Sequence, residues 1–317
     1  MTGKEIWPVF LAFIITAVAT GFLAPWLRKK KVDQTEREEG VASHLEKAGT
    51  PTMGGLAILA GIAIATLASM PGHPRQGVVL VLTLGFGVIG FLDDYLKVFL
   101  KRSDGLLAWQ KLLLEIVVTV VFLLILNRGL GISLQMLVPF GGGKMVSLGL
   151  FGPFFAAIVI LATVNGVNFT DGVDGLASSV TAVVALFFAL ASFWKEGGIT
   201  PMSMAVVGAL LGFLLFNAYP AKIFMGDTGS LALGGFVAGA AYVMQMPLFI
   251  LIVGFIYAIE LLSVALQVSY FKLTHGKRIF KMTPIHHSFE LSGWSETRIV
   301  TAFTAVTAIL CLLALII

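Results

Sequence analysis

Apolar residues run along this chain in long unbroken stretches rather than at strand or surface-helix spacing. A helix that crosses a bilayer needs about 20 apolar residues, with a range of about 17–25. Ten stretches approach that length: 6–27, 54–70, 77–92, 112–126, 152–167, 176–193, 202–217, 231–246, 248–271 and 299–317. Several are short, so their helices are expected to extend into flanking polar sequence. Gly and Ala are dense within them, as in GGLAILAGIAIA and LALGGFVAGAA. Such small residues let helices approach closely where lipid supplies no drive for association. Pro71, Pro74, Pro201 and Pro247 are read as lying in short turns between helices, where a missing N–H does no harm. Residues 127–151 alternate apolar positions around Gly141–Gly143 and predict a short β-hairpin.

Composition sharpens this picture. The chain is 58% hydrophobic and 12% charged, against about 25% charged in soluble proteins. The expected fold is an all-α integral membrane protein with about ten transmembrane helices, as one domain over residues 1–317. The first apolar run lacks a basic leader and a small-x-small cleavage site, so it is read as a spanning helix rather than a signal peptide. The single cysteine, Cys311, lies in the last run and has no partner for a disulfide or a Cys/His metal site. If the loop 28–53 is placed inside, most of the 21 Lys and Arg fall in inside loops. Only Lys4, Arg75, Arg128, Lys144 and Lys195 remain on the other side. That asymmetry is a positive-inside signal, and an even number of spans puts both termini outside. The net charge of +4 comes without a basic patch interleaved with aromatics, which argues against a nucleic-acid partner.

The remaining polar residues converge. Asp93 and Asp94 follow the third span, Asp171 and Asp174 the fifth, Asp227 the seventh, and His286 and His287 the ninth. Lys47 follows the first. All these loops are inside by parity, while Glu5 and Glu196 are the only outer acids. Singly, each element has an ordinary reading: Asp-Gly pairs are common in turns, an Asp pair at a helix end can face water, and Lys47 can be a plain inside charge. Together they form a set. Carboxylates in oxygen-rich loops suit Mg²⁺, which often bridges substrate phosphates. Lysines neutralise phosphate, and Gly-rich turns such as GDTGS and TMGG expose N–H groups to anions. This is equipment for phosphoryl transfer, where positioning and charge stabilisation dominate. Its place at the membrane rim points to a lipid phosphate as one substrate. GGGK at 141–144 lacks the GxxxxGK[ST] spacing of a phosphate loop and lies on the outer side.

DDYLK at 93–97, NFTDGVDGLA at 168–177, FMGDTGS at 224–230 and PIHHSFE at 284–290 resemble the polyprenyl-phosphate N-acetylhexosamine 1-phosphate transferases. KAGTPTMGG at 47–55 and the PIHHSFE loop resemble the branch that handles the muramoyl-pentapeptide. The resemblance runs from about residue 28 to the C-terminus. It implies transfer of phospho-MurNAc-pentapeptide from UDP-MurNAc-pentapeptide to undecaprenyl phosphate, giving lipid I and UMP with Mg²⁺. It also implies a bacterial plasma membrane location with the active site on the cytoplasmic face, a bent ninth helix beside a lipid groove, and a homodimer. By the same resemblance Asp227 is the Mg²⁺ ligand, Asp93 and Asp94 are a catalytic pair, and His286 and His287 lie over the cleft. Asn168, Asp171 and Asp174 would line the cleft, with Asn217 and Phe224 near the uridine. Lys47, Thr52, Lys97 and Lys111 would contact phosphates or nucleotide. One departure stands out: Ser288 occupies a position where the family usually has a third histidine.

Adjacent helical residues point about 100° apart, so Asp93 and Asp94 need not share a role. One can face the cleft while the other holds Lys97 at i+3 or i+4. A phosphate monoester has its second pKa near 6, so the lipid phosphate is largely dianionic without help from a base. Direct attack on the β-phosphorus is therefore favoured over a covalent aspartyl-phosphate route. The rivals are another UDP-HexNAc sugar-1-phosphate transferase, a transporter or flippase, and a membrane scaffold. An arginine-rich loop in place of PIHHSFE would have favoured the first. A transporter would put its charges near the midplane, where only Glu260 lies, either as a paired structural residue or as part of a groove.

Overall fold

A computed structural model describes residues 1, 3–30, 49–102 and 104–316. Lys47 lies outside the described residues. Twelve α-helices follow one another among those described: α1 (Gly3–Lys29), α2 (Gly55–Ala68), α3 (Pro74–Val98), α4 (Ala108–Leu124), α5 (Gly152–Thr170), α6 (Leu176–Trp194), α7 (Thr200–Asn217), α8 (Gly226–Val243), α9 (Ile250–Val253), α10 (Phe255–Leu273), α11 (Ile285–Glu290) and α12 (Glu296–Ala314). A helix stands at each of the ten apolar stretches. Among the described residues, eight helical segments are long and apolar enough to cross a membrane. The two that fall short do so for different reasons: α2 has 14 residues, and α8 is diluted by Gly, Asp, Thr and Ser in its first turns.

The small residues of α8 place it at the centre. Every residue from Thr228 to Val243 is buried, against α3 and α5 on one side and α2 on another. Helix α1 packs on α7 and α2. Apolar side chains that would be anomalous on a soluble protein face outward, among them Phe10, Phe22, Val120, Leu262 and Ile309. They form the surface a bilayer would cover.

Two expectations need adjustment. The ninth stretch, 248–271, is broken at Gly254 into α9 and α10. Pro74 and Pro201 lie in the first turns of α3 and α7 rather than in the turns between helices, where the first helical N–H groups have no intrahelical acceptor anyway. The predicted hairpin is present. Met136–Leu137 pairs antiparallel with Met145–Val146, and the Leu137 N–H donates to the Gln245 carbonyl at 2.8 Å.

Candidate active site

The loops that the sequence groups together meet at one end of the bundle. Asp93 and Asp94 sit in the last turns of α3, Lys111 in the first turn of α4, Asn168 in the last turn of α5, and Asp227 at the start of α8. Asp227 is the hub. Its Oδ2 accepts from Lys97 Nζ at 3.1 Å and from Lys111 Nζ at 3.2 Å. Its Oδ1 accepts from Asn168 Nδ2 at 3.2 Å. The Asp227 side chain is 18% exposed, with Lys97 at 39% and Lys111 at 21%, so the hub opens to one side.

The adjacent aspartates divide their work as the helical geometry allows. Asp93 contacts Lys97 Nζ at 2.5 Å through Oδ2, and its Oδ1 accepts the Leu106 N–H at 2.7 Å. It therefore anchors both a lysine and the loop before α4. Asp94 faces α8. Its Oδ1 accepts the Asp227 N–H at 3.1 Å, and its Oδ2 accepts the Thr228 N–H at 2.9 Å and the Thr228 hydroxyl at 2.6 Å. A carboxylate at a helix start also answers the unpaired N–H groups there. Both Asp93 and Asp94 are buried, and all four of their oxygens are engaged within the chain. The turn that makes this possible is at Gly226, with φ +74°, where a Cβ would strike Asp94 Oδ2 and Thr52 Oγ1. Thr52 is buried beside it.

Asp171, just past α5, is close enough to the other acids to feel them. Burial first, then the carboxylates of Asp227, Asp94 and Asp174, push it well above its ordinary value; the Gly226 N–H pulls the other way. Asp174 accepts the Ala221 N–H at 2.8 Å and gives its own N–H to Glu296 at 3.3 Å. Asn217 is buried; its amide donates to the Ile223 carbonyl at 3.1 Å and accepts from Ser178 at 3.0 Å. It holds the segment that carries Phe224, whose backbone pairs with Pro51 and Gly54.

His286 is fully buried, with Nδ1 3.1 Å from Glu260 Oε2. Glu260, deep in α10, thus lies beside His286, within ion-pair distance but without hydrogen-bond geometry. The other face of the His286 ring lies against Gly172, where a Cβ would come within 2.2 Å of Nε2. The His287 ring sits 4.1 Å from that of His286, centroid to centroid, and its Nδ1 contacts Glu290 at 2.7 Å. Ser288 does backbone work: its hydroxyl donates to the Met282 carbonyl at 2.6 Å and accepts the Met282 N–H at 3.1 Å. Residues absent from the sequence reading are Thr228, Gly172, Glu296 and the buried pair Glu115–Asn165. Thr228 lay within GDTGS, read as an anion-facing turn, and Gly172 within NFTDGVDGLA. The others have no signal short of the fold.

The donor set suits a hard divalent cation. Asp227 and Asp171 supply carboxylates, and Asp171 is raised first by burial and then by the neighbouring carboxylates. Among the described residues no three acids, histidines or cysteines are arranged to hold a metal by themselves. A cation here would draw much of its coordination from phosphate and water, as Mg²⁺ commonly does.

Comparison with known proteins bears on the chemistry. Residues 77–245 match the sequence model of glycosyl transferase family 4. Residues 47–59 match signature 1 of phospho-N-acetylmuramoyl-pentapeptide-transferase. Curated relatives with that same name include proteins of Acetivibrio thermocellus, 48% identical over 98% of this chain and 94% of the relative, and of Carboxydothermus hydrogenoformans, 47% identical over 98% of each. A relative from Clostridium perfringens is 45% identical over 98% of each chain.

Proposed function

The chain belongs to the phospho-N-acetylmuramoyl-pentapeptide-transferase family, and from that premise we propose that the cleft around Asp227 is its reaction centre. It is a membrane glycosyl-1-phosphate transferase of peptidoglycan synthesis. It moves phospho-MurNAc-pentapeptide from UDP-MurNAc-pentapeptide to undecaprenyl phosphate, giving lipid I and UMP. The observation that carries the site assignment is the convergence of Lys97, Lys111 and Asn168 on one carboxylate at a single end of an apolar bundle.

The cleft faces the cytoplasm in this reading, both termini lie outside, and ten helices span the plasma membrane of a bacterium. The bias of Lys and Arg toward the loops on the cleft side supports that orientation. The protein acts as a homodimer, as the family resemblance implies.

The reaction joins two anions, so charge stabilisation is the main task. Lys97 and Lys111 keep two positive charges close to where the phosphates would bind. Mg²⁺, held by Asp227 with Asp171 beside it, would offset the charge of diphosphate and lipid phosphate. Asp93 fixes Lys97, and Asp94 fixes the start of α8, so each sets the hub's geometry. A lipid-phosphate oxygen attacks the β-phosphorus, its bond to the oxygen of UMP breaks, and UMP leaves. Asp93 and Asp94, with their oxygens committed, are poorly placed as nucleophiles. His286, beside Glu260, and His287 close the side of the cleft at Gly172. Thr52, Asp174, Asn217 and Phe224 shape the nucleotide side, and Lys47 is assigned to phosphate contact from its sequence position alone.

Detergent-purified protein with both substrates and Mg²⁺ tests this reading. Lipid-dependent UMP release that disappears in Asp227→Asn or with chelator supports it. Full activity of Asp227→Asn overturns the site.

A further inference from the structure

Two ammonium groups share one oxygen of Asp227. A divalent cation that approached this carboxylate would repel both, so at least one lysine has to move. Lys97 already has a second carboxylate, Asp93, four residues back on α3 and 2.5 Å away. Lys111 has a counterpart four residues on along α4: Glu115, at a spacing that brings helical side chains together.

Glu115 is otherwise hard to explain. It is 2% exposed within an apolar helix, where a carboxylate is costly unless it is used. Its Oε2 is held by Asn165 Nδ2 at 3.1 Å, and that same amide is fixed to the Leu161 carbonyl at 3.0 Å. Its Oε1 is buried with no partner, as is the hydroxyl of Thr119 one turn further. One oxygen is thus tied to α5 and the other is open.

We infer that Glu115 is the alternate acceptor for Lys111. When a divalent cation takes Asp227, the Lys111 ammonium withdraws to Glu115 Oε1. Glu115 is a positioning residue that acts through Lys111, and the inference rests on the reading of Asp227 as a cation site. The two lysines of the hub then behave alike, each shared between Asp227 and a carboxylate one helical turn away on its own helix.

Mn²⁺ binding to the full chain in detergent, followed by its EPR signal without substrates, tests this apart from turnover. Glu115→Gln keeps an acceptor for Asn165 but offers Lys111 no charge. It should weaken Mn²⁺ binding about fivefold, the scale of one ion pair. Lys111→Met has no ammonium to displace and should bind at least as tightly as the wild type. On that background, adding Glu115→Gln should cost nothing further. Equal affinity of Glu115→Gln and wild type overturns the inference, as does the same loss on the Lys111→Met background, which would mean that Glu115 only braces α4 against α5. Weaker binding by Lys111→Met alone also overturns it. Absence of Mn²⁺ binding by the wild type would remove the cation reading of Asp227 and this inference with it.

Discussion

Thr228 grips Asp94 twice, through its N–H at 2.9 Å and its hydroxyl at 2.6 Å, both on Oδ2. This clasp joins the end of α3 to the start of α8 and so decides where the neighbouring Asp227 points. Thr228→Ala removes the hydroxyl and leaves a buried carboxylate oxygen with one donor fewer, at a cost of about 1–3 kcal/mol. It should lower both thermal stability and kcat, while Thr228→Ser restores both. Unfolding in detergent and UMP release on the three proteins check this.

Asp171 is a carboxyl whose ionised form the fold disfavours. Its folded value lies above the ordinary 3.8, so the unfolded chain loses the proton first as pH rises. The stability it contributes is complete below the ordinary value and is lost as pH climbs through the folded one. Asp171→Asn escapes that loss. The variant should melt higher than wild type, with a margin that grows as pH rises above the ordinary carboxylate value, yet lose activity. A margin independent of pH would contradict the electrostatic cause.

Ser288 ties the loop before α11 through both the N–H and the carbonyl of Met282. Ser288→Ala should cost about 1 kcal/mol and loosen the presentation of His286. Ser288→His, the residue that the family resemblance implies here, should not recover wild-type stability, because imidazole lacks the compact donor and acceptor this turn uses. Melting curves of the two variants decide it.

The ring of His286 fits only because Gly172 has no side chain. Gly172→Ala should force the ring aside at about 1–3 kcal/mol, a usual cost of overpacking, and depress kcat more than it raises KM. A kinetic profile unchanged from wild type would show that His286 has no part in turnover.

Much of this was legible in the sequence for physical reasons. Uncharged runs near bilayer length announce helices, and acids at their ends stand out because such groups are costly near lipid. Asp93, Asp94, Asp171 and Asp227 were therefore visible before any contact was known. The i+4 link from Asp93 to Lys97 was readable from helical spacing. What the sequence hid depends on approach between distant segments. Asp94 and Thr228 are far apart in the chain, as are Glu260 and His286, and neither pairing has a periodic signal. The break at Gly254 was invisible because one glycine in an apolar run is compatible with a continuous helix.

The central claim is that Asp93 and Asp94 set geometry while the lipid phosphate itself attacks. Rapid-quench measurement of UMP from the enzyme and UDP-MurNAc-pentapeptide, with no lipid acceptor, tests it most directly. The account predicts no UMP above background until undecaprenyl phosphate is added. A burst of UMP stoichiometric with enzyme, abolished by Asp93→Asn or Asp94→Asn in folded protein, would contradict it and establish a covalent aspartyl-phosphate step.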